Sequence, residues 1–169
     1  MFCQCFIKPR RVIGHVVAVT SLFFAASHGH ANDIAINGAD LAYSEAGSGE
    51  VVLFVHGAVS DHRIWEGFSE DVAEQYRFVA YDQRYFGHKS WHDDARGFSV
   101  ATHADDLIAV IDALGGDPVH LVTWSYGGLV GLHAAQRHPE KFRSMVHYEP
   151  TVEALHSGLS GERAATAQK

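Results

Sequence analysis

The clearest chemical signal in this sequence is a serine at the junction of two predicted elements. Ser125 lies in Trp124-Ser125-Tyr126-Gly127-Gly128, which follows the apolar, β-prone run Val119 to Thr123 and precedes a helical pattern. A strand, a tight turn and a helix in this order expose a serine hydroxyl at the tip of a strained turn. Small neighbours are needed there because larger side chains would collide with the strand and the helix, and Gly127 meets this requirement. Ser125 is therefore the candidate nucleophile, and an ordinary turn serine is the alternative.

Two further loops follow apolar runs of the same kind. His56-Gly57-Ala58 comes directly after Val51 to Val55, and Asp82-Gln83-Arg84 comes after Arg77 to Tyr81. In an open parallel sheet, ligands bind in the crevice beyond the carboxyl ends of the strands. The sequence therefore predicts that these two loops and the Ser125 turn line one site.

Strand-like runs alternate with helical patterns from Val51 onward, which is typical of an α/β fold with a parallel sheet. Continuous apolar runs indicate strands that are buried on both faces. We therefore predict a doubly wound, mostly parallel sheet with flanking helices. The remaining predicted elements are a hairpin at 34–43 around Asn37-Gly38, helices at 61–76 with Asp61 as the N-cap, from the Ser99 cap to Gly115-Gly116 and at 127–138, and a strand at 142–148.

In this order, the His-Gly loop, the Asp-x-Arg loop and the serine turn resemble the α/β-hydrolase fold family over about residues 34–150. The resemblance implies that the backbone N–H groups of Ala58 and Tyr126 form an oxyanion hole. Such donors matter because negative charge develops on the carbonyl oxygen, and losing one donor costs on the order of 100-fold in rate. The resemblance further implies that His56 braces its loop rather than acting as a general base, with Gly57 and Gly127 as supporting residues.

Two positions depart from the commonest pattern of the family. Thr123 stands where glycine is commonest, and Tyr85-Phe86 stands where many relatives have a glycine after Asp-x-Arg. We expect the bulky pair to crowd its loop, and Arg84 to make a structural ion pair or carbonyl contacts. Several aromatic residues could line an apolar acyl pocket or pack in the core, and the sequence leaves both readings open for Trp65, Tyr85, Phe86, Trp91 and Trp124.

The base that would activate Ser125 is harder to assign. A serine nucleophile needs a histidine within hydrogen-bond reach, and the resemblance implies that an acid and then a histidine follow the serine. Four histidines follow Ser125, of which His133, His138 and His147 fall within predicted elements that should hold them away, which leaves His156. Glu149 is the candidate acid, with an ordinary loop carboxylate as the alternative.

The two ends of the chain differ from residues 32–150, which form the predicted hydrolase core. Residues 151–169 contain no sheet-like run and are interpreted as the start of a cap region, or as a disordered tail of a chain that stops before the cap and the last strands. Residues 1–31 combine a basic cluster, an apolar run from Val12 to Ala26 and small residues at Gly29 and Ala31, which predicts a secretory signal peptide.

Cleavage after Ala31 would make the protein periplasmic or secreted, with no stable membrane span left after cleavage. An uncleaved membrane anchor is the alternative, but the apolar run is shorter than the roughly 20 residues that span a bilayer. Cys3 and Cys5 both lie in this leader, so the remaining chain would contain no thiol for disulfides or catalysis.

The charge of the chain limits its partners. The formal net charge is −7, and it becomes −10 without the three basic residues of the leader. This argues against nucleic acid and anionic membrane surfaces as partners. A small-molecule substrate is expected from the family resemblance, and the charge says nothing about which one.

Neither a metal site nor a cofactor is predicted. His88, His92, Asp93 and Asp94 form no closed four-ligand pattern. No glycine-rich phosphate-binding loop follows a strand.

Two functions from different classes remain open. The first is hydrolysis of an ester-type acyl bond through a Ser125 acyl-enzyme, since an aspartate at this position would instead have suggested epoxide or haloalkane chemistry. The second is a catalytically incompetent fragment or pseudoenzyme that at most binds a ligand, because the histidine base is not evident.

Overall fold

The apolar runs of the sequence form a single six-stranded sheet in the computed structural model, which describes residues 32–91 and 93–152. The strands are β1 (Asn32–Ile36), β2 (Ala39–Gly47), β3 (Val51–Val55), β4 (Arg77–Tyr81), β5 (Val119–Trp124) and β6 (Phe142–Tyr148). The helices are α1 (Ser69–Ala73), α2 (Val100–Ala113) and α3 (Tyr126–Arg137), with 3₁₀ helices at His62–Phe68 and Pro139–Lys141.

The strand order across the sheet is β1-β2-β4-β3-β5-β6. The hairpin β1–β2 is antiparallel and pairs antiparallel with β4, whereas β4, β3, β5 and β6 are parallel neighbours. The carboxyl ends of the four parallel strands therefore lie at one edge of the sheet. This confirms the mostly parallel sheet that the alternating pattern predicted.

Alternate residues of β3 enter two separate cores because successive side chains of a strand point to opposite faces. Leu53 and Val55 are fully buried in the larger core, against residues of α2 and α3. Phe54 faces the other side, where it packs with Trp65 of the first 3₁₀ helix and Phe78 of β4. Helices thus cover both faces, which confirms the doubly wound architecture.

The segment 61–76 differs from the single helix that the sequence predicted. Asp61 caps its start by accepting a hydrogen bond from the Arg63 N–H, but a 3₁₀ helix precedes the short helix α1. Trp65 and Phe68, three residues apart, both contact the ring of Phe54, with centroid distances of 5.2 and 6.4 Å. Side chains at i and i+3 align in a 3₁₀ helix, so packing on Phe54 favours the tighter turn over the α-helix.

The predicted ends of α2 agree with the structure. The Ser99 hydroxyl accepts a hydrogen bond from the Thr102 N–H at the start of α2, and Gly115 and Gly116 follow its end with φ of 127° and 79°. These caps fix the register of a helix whose buried face carries both apolar residues and two polar ones, His103 and Asp106.

Arg84 makes the structural contacts that the sequence predicted. Its guanidinium donates to both carboxylate oxygens of Asp106, at 2.7 and 2.8 Å, and to the carbonyls of Ile36 and Asn37. The Asp106 side chain is only 2% exposed. One side chain thereby links the loop after β4, helix α2 and the β1–β2 turn.

Two stretches lie outside the described residues. The signal peptide predicted for residues 1–31, and His156 with the rest of 153–169, keep the status of predictions. Within 32–91 and 93–152, no helix has the length and apolar character needed to cross a bilayer.

Replacing Asp106 by alanine should lower the free energy of unfolding by about 3–5 kcal/mol, because it strands a largely buried guanidinium without its partner. The neighbouring pair Asp105 and Arg137 is about half exposed and serves as the matched control. Asp105→Ala should cost less than about 1 kcal/mol. Urea unfolding of the three proteins measures both values, and equal losses in the two variants would contradict the role of Arg84.

Candidate active site

Ser125 lies between the end of β5 and the start of α3, where the strand turns directly into the helix. Its backbone has φ 50° and ψ −118°. This is the conformation of the first central residue of a type II′ turn, which glycine adopts most easily. A non-glycine residue in such a region costs on the order of 1–3 kcal/mol. The strained strand-turn-helix geometry expected around Ser125 is therefore present.

Positive φ recurs in the loops that follow all four parallel strands. Val59 follows β3, Tyr85 follows β4, Ser125 follows β5 and Glu149 follows β6, with φ of 55°, 68°, 50° and 45°. Strained backbone of this kind persists only where the surrounding structure imposes it, and it concentrates at functional sites. The same edge of the sheet was predicted to carry the site.

Two glycines allow the loops at this edge to meet. A β-carbon on Gly127 would lie 2.6 Å from the His56 carbonyl oxygen and 2.7 Å from that of Val55. One on Gly57 would lie 3.1 Å from the Ser125 β-carbon. Side chains at either position would therefore push the β3 loop and the Ser125 turn apart.

Hydrogen bonds fix the peptide of Ser125 from both sides. Its N–H donates to the Tyr148 carbonyl at 3.0 Å, and its carbonyl accepts from the N–H groups of Gly128 and Thr151 at 2.9 and 3.0 Å. The Ser125 side chain is half-buried, and among the described residues its hydroxyl has a polar contact with the Thr151 hydroxyl at 3.5 Å. At that distance the contact is too long for a good O–H···O hydrogen bond, so the Ser125 side chain is held only weakly.

The two positions predicted for an oxyanion hole lie on either side of this turn. Ala58 is exposed and follows Gly57, whose β-carbon position contacts Ser125. Tyr126 is the first residue of α3, so its N–H has no partner within the helix. The close approaches at Gly57 and Gly127 bring together the loop after β3 and the start of α3, which carry these two N–H groups.

His56 is engaged at both ring nitrogens. Its Nδ1–H donates to the Gly57 carbonyl at 2.7 Å, and its Nε2 accepts from the Gln83 N–H at 3.0 Å. Gln83 returns a bond from its side-chain amide to the His56 carbonyl at 2.7 Å. Burial lowers the pKa of His56 and keeps it neutral. His56 therefore ties the loop after β3 to the loop after β4, which is the bracing arrangement predicted for it.

The pair formed by His62 and Asp82 was not singled out from the sequence. One carboxylate oxygen of Asp82 accepts from the His62 backbone N–H at 2.8 Å and from its Nδ1–H at 2.6 Å. Both side chains are 7% exposed. The pair is a second clamp between the loops after β3 and β4, and only the position of Asp82 at a strand end signalled it in advance.

Asp61, His62 and Asp82 each bring one possible metal ligand within 4.8 Å of the others. Their atoms already have partners, since Asp61 accepts from Arg63 Nε and Nη2 at 2.8 and 2.7 Å. The Arg63 guanidinium beside Asp61 holds the pKa of that carboxyl far below its usual range. We interpret the cluster as a hydrogen-bonded clamp.

The polar loop considered for metal binding is arranged differently. The Tyr85 hydroxyl donates to Asp93 at 2.6 Å, and His88 contacts Arg63. His92 lies outside the described residues.

The three described histidines that follow Ser125 are not hydrogen-bonded to its hydroxyl. His147 is bonded through Nδ1 to the buried Thr123 hydroxyl at 2.6 Å, and His138 faces Glu140. His133 lies on α3. No histidine of residues 32–91 or 93–152 hydrogen-bonds Ser125 Oγ, in agreement with the expectation for these three.

Glu149 is exposed and directly follows β6. Pro150, next to it, packs so closely on α3 that a β-carbon on Gly128 would lie 2.6 Å from the proline Cβ. Glu149 is thus held at the same edge as Ser125. Its role as the acid stays a prediction.

The aromatic residues for which the sequence left a pocket or the core open fall into two packed groups. Trp65 packs in the core with Phe54 and Phe78, and Trp124 packs against that core. A second group forms a ring cluster beside the Ser125 turn, here called the aromatic cluster, with centroids 5.0–6.1 Å apart: Tyr85, Phe86, Trp91, Phe98, His103 and Tyr126.

His103 is a polar residue inside the aromatic cluster, and no sequence motif marks it as a candidate. It is 1% exposed, and its Nδ1 lies 2.7 Å from the Tyr126 hydroxyl. Burial, opposed by the nearby Asp106 carboxylate, lowers the pKa of His103 to about 4. Burial also raises the pKa of Tyr126, so both groups are neutral near pH 7.

Ser125→Gly should be more stable than Ser125→Ala by about 1 kcal/mol, because only glycine relieves the strain at φ 50°. Both variants lose the hydroxyl, so the comparison isolates the backbone. Ser90, exposed and without positive φ, is the control, and there the glycine variant should be the less stable. Thermal and urea unfolding measure the difference, and an alanine variant as stable as the glycine variant at 125 would refute the strain.

The free energy of unfolding should fall as the pH drops from 6.5 to about 4. In this range His103 binds a proton in the unfolded chain but stays neutral in the folded one, where burial lowers its pKa to about 4. Each such histidine contributes up to about 1.4 kcal/mol per pH unit in this window. His103→Phe should therefore show a shallower pH dependence than the wild type, with the contribution of His56 remaining. Urea titrations between pH 4 and 7.5 provide the test, and identical slopes would mean that His103 titrates normally.

Comparisons with known proteins agree with this geometry. A family model described as the alpha/beta hydrolase fold matches residues 50–167. The uncharacterized hydrolase YraK of Bacillus subtilis (strain 168) is 30% identical over 123 residues, covering 73% of this chain and 45% of YraK. The chain therefore spans less than half the length of this relative.

Two solved structures show the same arrangement. The epoxide hydrolase VrEH1 from Vigna radiata is similar with a TM-score of 0.67 and 29% identity, over 70% of this chain and 39% of that one. A membrane phospholipase A, described as a bacterial virulence factor, has a TM-score of 0.68 and 29% identity, over 73% of this chain and 40% of that one. The family model covers more than half of the chain and the solved structures share its fold, and this chain belongs to the α/β-hydrolase fold family.

Proposed function

We propose that this hydrolase-family chain cleaves an ester-type acyl bond of a small molecule through an acyl-enzyme on Ser125. The observation that carries the proposal is the strained backbone of Ser125, at φ 50° and ψ −118°, which presents a half-buried hydroxyl at the strand-to-helix turn. Maintaining such strain costs stability. A hydroxyl held this way at a site edge has the geometry of a nucleophile.

The chemistry of serine favours acyl transfer over epoxide opening. In the proposed reaction, Ser125 Oγ attacks the carbonyl carbon while its proton passes to a base, and the alcohol leaves with that proton. Water then hydrolyses the acyl-serine ester, which releases the acid and restores the hydroxyl. A serine that opened an epoxide would instead form an ether, which water does not hydrolyse, so the enzyme would be consumed. We therefore do not carry epoxide hydrolysis over from VrEH1.

The negative charge of the tetrahedral intermediate would be stabilised by the N–H groups of Ala58 and Tyr126. Support comes from the free position of Tyr126 at the start of α3 and from the close approach of Gly57 to Ser125. The positive end of the α3 dipole lies at the same place and favours an anion. This part of the site needs no metal ion or cofactor.

The weaker element is the base. Among the described residues, His56, His103 and His147 bond other partners, and the polar contact of Ser125 Oγ is the distant Thr151 hydroxyl. Glu149 stays the proposed acid, and no base is assigned, since His156 lies outside the described residues. The second candidate function, a chain that binds a small molecule without turnover, is kept because no described histidine bonds Ser125 Oγ.

A fluorophosphonate probe separates the two candidates, because it reacts with an activated serine and not with an inert one. Incubation of the purified full chain should give one adduct, which peptide mapping by mass spectrometry should locate on Ser125, and Ser125→Ala should give none. The wild type should also hydrolyse p-nitrophenyl esters and leave styrene oxide intact. A folded wild-type chain without adduct would rule out the acyl-enzyme and leave ligand binding.

A further inference from the structure

Tyr126, the residue after the candidate nucleophile, is fixed through both its backbone and its side chain. Its backbone forms the first turn of α3 beside the strained Ser125, and its side chain reaches into the aromatic cluster. There the Tyr126 hydroxyl meets Nδ1 of His103 at 2.7 Å. Apart from this polar contact, the Tyr126 side chain packs against Phe86 and Phe98.

His103 is itself fixed in place. It lies in the first turn of α2, where its N–H donates to the Ser99 carbonyl at 3.1 Å, and its ring packs edge-on against Phe98 and Tyr126 at 5.0 and 5.5 Å. The ring cannot move without opening the aromatic cluster. A hydrogen bond from such a group constrains its partner more than one from a mobile surface side chain.

The second ring nitrogen of His103, Nε2, indicates that stability alone does not explain a histidine at this position. Nε2 is buried without a hydrogen-bond partner among the described residues. The Arg84 backbone lies near enough to raise the pKa of the ring as an acceptor would, but the contact falls outside hydrogen-bond geometry. A buried unsatisfied polar group lowers stability, so a phenylalanine would fit this apolar environment better than histidine does.

We propose that His103 is a positioning residue, which holds the Tyr126 backbone N–H in the oxyanion hole by accepting a hydrogen bond from the Tyr126 hydroxyl. The expected effect on catalysis rests on the proposed function. The coupling between His103 and the Tyr126 amide rests on the geometry alone. The neutral ring accepts at Nδ1 and carries its proton on Nε2. The charged groups near the His103 ring are Asp106 on α2 and Arg84 after β4. Its other titratable neighbours are His56 after β3 and the phenols of Tyr85 and Tyr126.

Three substitutions in the full chain test the proposal. His103→Phe keeps the ring and removes the acceptor, His103→Asn keeps an acceptor near Nδ1, and Tyr126→Phe removes the same bond from the other side. The rate of Ser125 labelling by a fluorophosphonate, followed against probe concentration, separates the maximal rate from the half-saturating concentration. The Tyr126 amide resonance in ¹⁵N-labelled protein reports on the backbone without any activity.

His103→Phe should reduce the maximal labelling rate on the order of 10-fold, less than the loss of a whole oxyanion donor, and leave the half-saturating concentration unchanged. His103→Asn should restore most of the rate. The double variant with Tyr126→Phe should be no slower than either single variant, since all remove one bond. Melting temperatures are measured for every variant, because a purely structural role predicts labelling losses that follow the loss of stability.

Unchanged labelling by His103→Phe, or equal loss in the asparagine variant, would overturn the proposal. If the wild type itself is not labelled, the proposed function fails and the amide resonance decides the rest. A Tyr126 amide that shifts in His103→Phe and returns in His103→Asn would support the positioning. One that stays in place would refute it.

Discussion

The structure of the site depends on how closely α3 can begin behind the end of β3. At Gly127 the helix backbone lies so near the carbonyls of Val55 and His56 that no β-carbon fits between them. This contact brings the first turn of the helix beside the loop that contains Ala58, so two chain segments that lie far apart in the sequence meet at the candidate site. The clamps formed by His56 with Gln83 and by His62 with Asp82 then hold that loop against the end of β4.

The distribution of strain follows from the same arrangement. All four parallel strands end in loops with a non-glycine residue at positive φ, and these loops meet at one edge. The apolar burial that stabilises the molecule lies elsewhere, in the two cores on either side of β3. A rigid sheet can support unfavourable backbone at its edge because the cores oppose relaxation of the loops.

The sequence predicted most of the fold and the strained turn at Ser125, whose role as nucleophile stays a prediction. Short apolar runs marked the strands, Ser99 marked the start of α2, and the turn around Ser125 was evident from its glycines and its place between two elements. The 3₁₀ helix at His62–Phe68 was not predictable from helical spacing, because packing of Trp65 and Phe68 on Phe54 determines it. The His62–Asp82 and His103–Tyr126 pairs join residues about 20 positions apart, and no local pattern indicates which polar side chains will meet after folding.

The hydrogen bonds of the Ser125 peptide have a mechanical consequence. Its N–H is bonded to Tyr148 and its carbonyl to Thr151, so the peptide groups on both sides of the serine α-carbon extend the pairing between β5 and β6 beyond the strands themselves. Rotation of the Ser125 backbone requires these bonds to break or the chain at 148–151 to follow. The Ser125 turn and the segment that leaves β6 are therefore mechanically coupled, and a displacement of that segment would change the direction of the Ser125 side chain.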